Sequence, residues 1–164
     1  MKTPLLILFV TVSIFADSNI SCRGCAAGKS MLQCDYYVAK KGEKDKRHFC
    51  EIYAKVVDID GASAKAAWYY LLAGKPHKAL SAADKALQIG QHYAQEYRAF
   101  ALWILKKPKE ARQALEAFRR KGGGGEYLLR DLRTLERLYP EIDFTPLRSG
   151  NFDKIRKKGE EAKP

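Results

Sequence analysis

Apolar residues recur at three- and four-residue spacing along most of this chain, the signature of amphipathic helices, and the pattern itself recurs. When residues 62–90 are set on 94–122, a shift of 32, Ala67 falls on Ala99, Trp68 on Phe100, Tyr70 on Leu102, Leu71 on Trp103 and Leu72 on Ile104. Downstream, Lys75-Pro76 falls on Lys107-Pro108, Ala79 on Ala111, Ala83 on Leu115, Ala86 on Phe118 and Gly90 on Gly122. Each unit predicts two helices, 64–73 with 77–89 and 93–106 with 109–121. Gly74 ends the first helix, and Pro76 opens the second, where its missing N–H is no loss. Small residues at Ala67, Ala79, Ala83, Ala86, Ala99 and Ala111 let neighbouring helices approach closely. A period near thirty with two helical stripes marks an array whose units bury their apolar faces by stacking on one another.

The same periodicity predicts helices over 31–39 and 47–57, the second with Phe49, Ile52, Tyr53 and Val56 as its core stripe. Gly28 and Ser30 read as a loop and N-cap entering the helix that carries Cys34, and Ser63 as a cap for the helix after Gly61. Four consecutive glycines at 122–125 predict a mobile connector. A helix over 126–139 follows, with Leu128, Leu129, Leu132, Leu135, Leu138 and Tyr139 on its stripe and Pro140 as its stop. Phe144, Pro146, Leu147, Phe152 and Ile155 form a last compact segment suited to capping the array. The expected organisation is a signal segment at 1–18, a cysteine-rich helical segment at 19–58, two repeats at 59–122, capping helices at 123–157 and a disordered tail at 158–164. The fold class is all-α, a short solenoid of helical hairpins with disulfide-stapled N-terminal helices.

Residues 60–122 resemble two tetratricopeptide repeats. The matching positions are the small Ala67 and Ala99, the apolar Tyr70 and Leu102, the turns at Gly74 and Lys106, Ala79 and Ala111 opening each second helix, and Ala86. Departures are Phe118 where the family favours Ala, Ser63 and Gln95 where a large apolar residue is common, no Pro after the second helix, and a unit two residues short of the usual 34. The resemblance implies a concave groove lined by the first helix of each pair. Its residues would be Ala64, Trp68, Leu71 and Leu72 in one unit and Tyr93, Glu96, Phe100, Trp103 and Ile104 in the other. Trp68 and Trp103 are then anchors for a bound peptide, since large aromatics bury much area at low entropy cost. The alternative makes both tryptophans core, covered by the cysteine-rich segment or by the last helix.

Lys2, an apolar run of about 12 residues from Leu5 to Ala16, and small residues at Ala16 and Ser18 have the form of a secretory signal cleaved before Asn19. The run is short of the roughly 20 residues of a membrane span, so no transmembrane segment is expected after cleavage. Lipidation at Cys22 is disfavoured by Asn19, where an aliphatic residue belongs. Cys22, Cys25, Cys34 and Cys50 cluster behind this segment, and an even number there implies two disulfides in an oxidising compartment, periplasmic or extracellular. Three pairings exist. Cys34 with Cys50 is preferred because it staples two adjacent helices, leaving Cys22 with Cys25 as a local ring. Two other chemistries compete: thiol–disulfide exchange by Cys22-Arg23-Gly24-Cys25, and zinc held by four thiols or by three with His48. No strand precedes the dithiol, and the spacing fits no specific zinc framework.

Gly28-Lys29-Ser30 ends like a phosphate-binding loop, but Arg23 stands where that loop needs Gly. His48, His77 and His92 are dispersed, and no nucleophile, base and acid converge, so neither catalysis nor a cofactor is expected. The net charge of +11 survives signal removal, with dense runs at Lys40 to Arg47 and Lys154 to Lys158. Such runs are solvated faces or attract an anionic envelope surface. Nucleic acid is excluded as a partner for an exported chain without a nucleic-acid motif. The expected function is therefore protein or peptide binding in the cell envelope, as an adaptor or assembly factor. Its rivals are a thiol-active protein and a cationic protein held on the envelope surface.

Overall fold

A computed structural model describes residues 18–39, 47–59, 61 and 63–149, with 18–27 and Ser63 described by backbone alone. Among them are eight helices and no strand: α1 Ser18–Ala39, α2 Arg47–Ile59, α3 Ser63–Leu72, α4 Pro76–Gln88, α5 Ala94–Ile104, α6 Pro108–Arg120, α7 Glu126–Leu138 and α8 Thr145–Ser149. From α1 to α6 each helix packs on the next, and α3 also meets α5 and α7. α3 is the centre of the molecule. Ala64, Ala66, Ala67, Tyr69, Tyr70, Leu71 and Leu72 are all buried, so this short helix is apolar on nearly every side, as a helix walled in by neighbours must be. α4 contributes a face of alanines, Ala79, Ala82, Ala83 and Ala86, and the absence of bulk there lets α3 and α5 approach. α2 is tied to α4 by Lys78 Nζ donating to Glu51 at 2.7 Å and by Lys85 bonded to Asp58 at 3.2 Å. These exposed pairs set register more than they stabilise.

The sequence repeat is a repeat of backbone geometry. Gly74 N–H donates to Leu71 O and Lys75 N–H to Tyr70 O; 32 residues on, Lys106 donates to Trp103 O and Lys107 to Leu102 O. Lys75 and Lys107 take nearly the same angles, φ −117° with ψ 64° and φ −112° with ψ 66°. The second helices end alike as well, with Gly90 bonded to Leu87 O and Gln91 to Ala86 O, against Gly122 to Arg119 O and Gly123 to Phe118 O. Each end is a left-handed C-cap that satisfies the last carbonyls of its helix. Phe118, which departs from its counterpart Ala86, is compensated at the same cap. A Cβ at Gly123 would lie 2.3 Å from the Phe118 ring, whereas the first unit has the small Ala86 and the larger Gln91. Gln91 uses its bulk: its Oε1 accepts the Ala64 N–H at 3.2 Å and caps the start of α3.

Adding 32 a second time sets Ala94 on Glu126 and Lys107-Pro108 on Tyr139-Pro140, so α7 starts where a third unit would start. It does not stack on α6 as α5 stacks on α4; it reaches back to α3. The cause lies in the connector. Gly124 and Gly125 hold φ 135° and 72°, where the first unit has His92 and a Tyr93 at φ −65°. Conformations open to glycine alone send the chain off in a different direction.

Cys34 and Cys50 are disulfide-bonded, joining α1 to α2 with a Cα separation of 4.8 Å, in the preferred pairing. Both sulfurs are thereby used, and every zinc set that the sequence offered needs at least one of them. Cys22 and Cys25 lie on α1, but their side chains fall outside the described residues. So do residues 1–17 of the expected signal segment, the stretch with Phe152 and Ile155, and the tail. Two expectations are corrected. On α2 the buried face is Cys50, Tyr53, Ala54 and Val57, with Phe49 and Val56 only partly covered and Ile52 exposed, because the side turned to α1 and α3 lies about one residue round from the expected stripe. Gly28 and Ser30 are not a loop and N-cap. α1 runs unbroken through both, and Ser30 is buried. No helix among the described residues is long and apolar enough to cross a membrane.

Three stability changes follow. Lys106 sits at φ 59°, where its repeat counterpart is Gly74 at φ 71°. Lys106→Gly is expected to raise the unfolding free energy by about 1 kcal/mol in urea titrations. Gly74→Ala is expected to lower it by more than about 1 kcal/mol, since it adds backbone strain and a Cβ only 2.9 Å from the Arg47 guanidinium. Replacing Cys34 and Cys50 together by Ala opens a ring spanning 16 residues and is expected to cost about 3 kcal/mol in the same assay.

Candidate partner-binding face

The residues named from the sequence lie on α3, on α5 and at its entry, and the structure divides them into two groups. Leu71, Leu72 and Phe100 are core, and Glu96 is buried with them. Trp68, Trp103 and Ile104 are half-buried, packed against the core with one side outward, and Tyr93 is exposed at the entry to α5. Trp68 packs against Tyr97 with ring centroids 5.6 Å apart, linking α3 to α5.

The cover over this face is the chain's own C-terminal segment. α7 places Leu128, Leu132 and Leu135 in the core, and Tyr139 follows at its end. The Tyr139 hydroxyl donates to Leu71 O at the C-terminus of α3. Arg47 of α2 lies over the Tyr139 ring at 5.3 Å and donates from Nε to Leu72 O at 3.4 Å, so three helices meet at one phenol. Burial pushes the Tyr139 pKa up to about 12, which keeps that donor protonated throughout the ordinary pH range. Trp103 Nε1 donates to Asp143 O at 2.9 Å, fixing the chain between α7 and α8 against the end of α5. Arg119 of α6 reaches Leu147 O in α8 at 3.4 Å. A side of α3, one of the two helices on which the resemblance implies a groove, is thus covered by a helix of the same molecule.

Where α5 meets α7, two carboxyls are buried together. Glu96 is 5 % exposed and its Oε1 has no hydrogen-bond partner. Asp131 is equally buried and accepts from Arg130 Nε at 3.1 Å. Burial, and after it the charge of Asp131, pushes the Glu96 pKa up to about 8, with Arg130 opposing. Burial also raises Asp131, again opposed by Arg130. The Tyr97 phenol beside them is driven above the usual phenol range, by burial first and then by Asp131, Glu96 and Tyr93. Spacing alone gave no sign of this pair, because Glu96 sits at a position that reads as groove lining.

The part of the face left open is a cleft of about 340 Å³ at the end of α5, lined by Trp103, Ile104, Lys106, Pro108, Glu141, Ile142, Asp143 and Pro146. Its floor is apolar, and its charged residues carry both signs. The three histidines lie apart, His48 on α2, His77 on α4 and His92 in the turn before α5. No group of three or more His, Cys, Asp or Glu side chains among the described residues is placed to hold a metal ion. No family model matches the chain, and no curated protein or solved structure matches it either.

The buried Glu96 makes stability depend on pH with a definite sign. Its folded pKa lies above the ordinary 4.5, so the native state holds a proton that the unfolded state releases between about 4.5 and 8. Stability from this group is fully present below 4.5, falls as pH rises, and levels off above about 8. Glu96→Gln is expected to leave stability little changed at acid pH and to raise it by roughly 2 kcal/mol or more above pH 8, as read by urea unfolding across pH.

Proposed function

We propose that this is an exported, non-enzymatic protein-binding module, an adaptor or assembly factor of the periplasm or extracellular space, built on a tetratricopeptide-like array. The observation that carries the binding role is the open cleft. It presents Trp103 and Ile104, both named from the sequence as partner residues, beside Pro108, Ile142 and Pro146. Apolar floors with a few charged groups at their edges suit an inserted side chain whose orientation polar neighbours select. The recurrence of both helix caps at a 32-residue interval supports the array. The Cys34–Cys50 bond supports an oxidising compartment, where such bonds persist. The partner is a protein that offers a short apolar segment flanked by polar residues.

The test selects displayed peptides on the oxidised full-length chain and measures their Kd for the parent protein and for Ile104→Glu. Ile104 is half-buried against the core, so the Kd values are compared at a temperature where melting curves show every chain folded, with Ile104→Ala as a second variant that adds no charge. Selected peptides are expected to bind at least about tenfold more weakly to Ile104→Glu. Binding indifferent to that change and abolished by salt would replace this reading with electrostatic adsorption by a cationic surface.

A further inference from the structure

α7, seated on α3 and passing Glu96 and Tyr97 of α5, fits well at most positions and badly at one. Leu128, Leu132 and Leu135 are buried and the Tyr139 hydroxyl is bonded to Leu71 O. Between these contacts, however, α7 sets the acidic Asp131 near the buried Glu96, whose Oε1 is left without a partner. An unpaired buried oxygen, and a second buried carboxyl beside it that holds Glu96 in its protonated form, both weaken the seam. The tether is equally telling. Four glycines at 122–125 join α7 to α6, three of them at positive φ, and such a segment regains more conformational freedom on release than any other composition would.

We propose that α7 is a built-in, displaceable ligand, and that the face beneath it receives an amphipathic helix from a partner protein. That helix carries leucines spaced as Leu128, Leu132 and Leu135, an aromatic hydroxyl in the place of Tyr139, and a basic residue in the place of Asp131. The leucines and hydroxyl are required because the face already shows what it accepts. The basic residue follows from charge: it supplies the donor that Glu96 lacks. A second copy of this chain is the poorer occupant, since its helix brings the same Asp131 and competes against a tethered twin at an effective concentration of about millimolar. The inference rests on the protein-binding reading and adds a second surface to the open cleft.

The experiment uses the oxidised full-length protein and two fluorescent peptides with the sequence of residues 126–140, one native and one carrying Asp131→Lys. Anisotropy is expected to show saturable binding of the lysine peptide, at least about tenfold tighter than the native peptide. The full-length Asp131→Lys variant, whose own helix now suits the face, is expected to bind the lysine peptide at least about tenfold more weakly than the parent chain does. Hydrogen exchange of the parent chain supplies a readout that needs no variant: amides of α7 should exchange ahead of those of α3 and α5. Equal affinity for the two peptides, or α7 amides that exchange only together with α3 and α5, would overturn the proposal. Failure here is separable from failure of the cleft, because ligands selected on the cleft would still bind and still depend on Ile104.

Discussion

The structure depends on one constraint: the apolar sides of α3 and α5 must be covered, and two helix pairs cannot cover them unaided. α2 and α4 flank α3 and α5 closes another side, but a side of α3 remains, and α7 reaches it. Each large side chain kept from water there, such as Leu71 or Phe100, is worth about 1.5–3 kcal/mol. A third pair stacked on α6 would extend the array and leave this side open. Folding α7 back covers it with the next helix in the chain, and the glycine connector makes the reversal geometrically accessible.

The two ends of the molecule are held by different means. At the N-terminal end a covalent bond fixes α1 to α2, and Tyr53 packs edge-on to Tyr69 of α3 at 4.5 Å. At the C-terminal end the cover is held by leucine burial and by a few hydrogen bonds to backbone carbonyls, Tyr139 to Leu71 and Trp103 to Asp143. Two buried carboxyls at that seam work against it. The N-terminal end thus carries the covalent bond, and the C-terminal cover rests on burial and hydrogen bonding alone, with the pair of buried carboxyls at its seam.

Much of the helical layout was legible because its signals are local. Lys-Pro turns, glycines at helix ends and three-four spacing located α2 to α7 to within a residue or two, and adjacency of the predicted helices singled out Cys34 with Cys50. What was missed depends on contacts distant in sequence. Gly28 and Ser30 look like punctuation, yet both lie inside α1, because burial of residues such as Ser30 outweighs their weak intrinsic preference. Leu71, Leu72, Glu96 and Phe100 satisfy a groove pattern equally well with or without a cover, and nothing at those positions states which holds. The third appearance of the 32-residue period was itself readable in Tyr139-Pro140. Its change of direction was written in four glycines, whose spacing suggests freedom and whose observed angles specify a turn.

The most direct test of this account is whether α7 lies on α3. In an NMR spectrum of the oxidised protein, nuclear Overhauser contacts between the Tyr139 ring and the side chains of Leu71 and Arg47 are expected, with a slowly exchanging Tyr139 hydroxyl. Contacts running instead from Leu128, Leu132 and Leu135 to residues of α6, with no Tyr139 contact to α3, would contradict it and place α7 as the next helix of a growing stack.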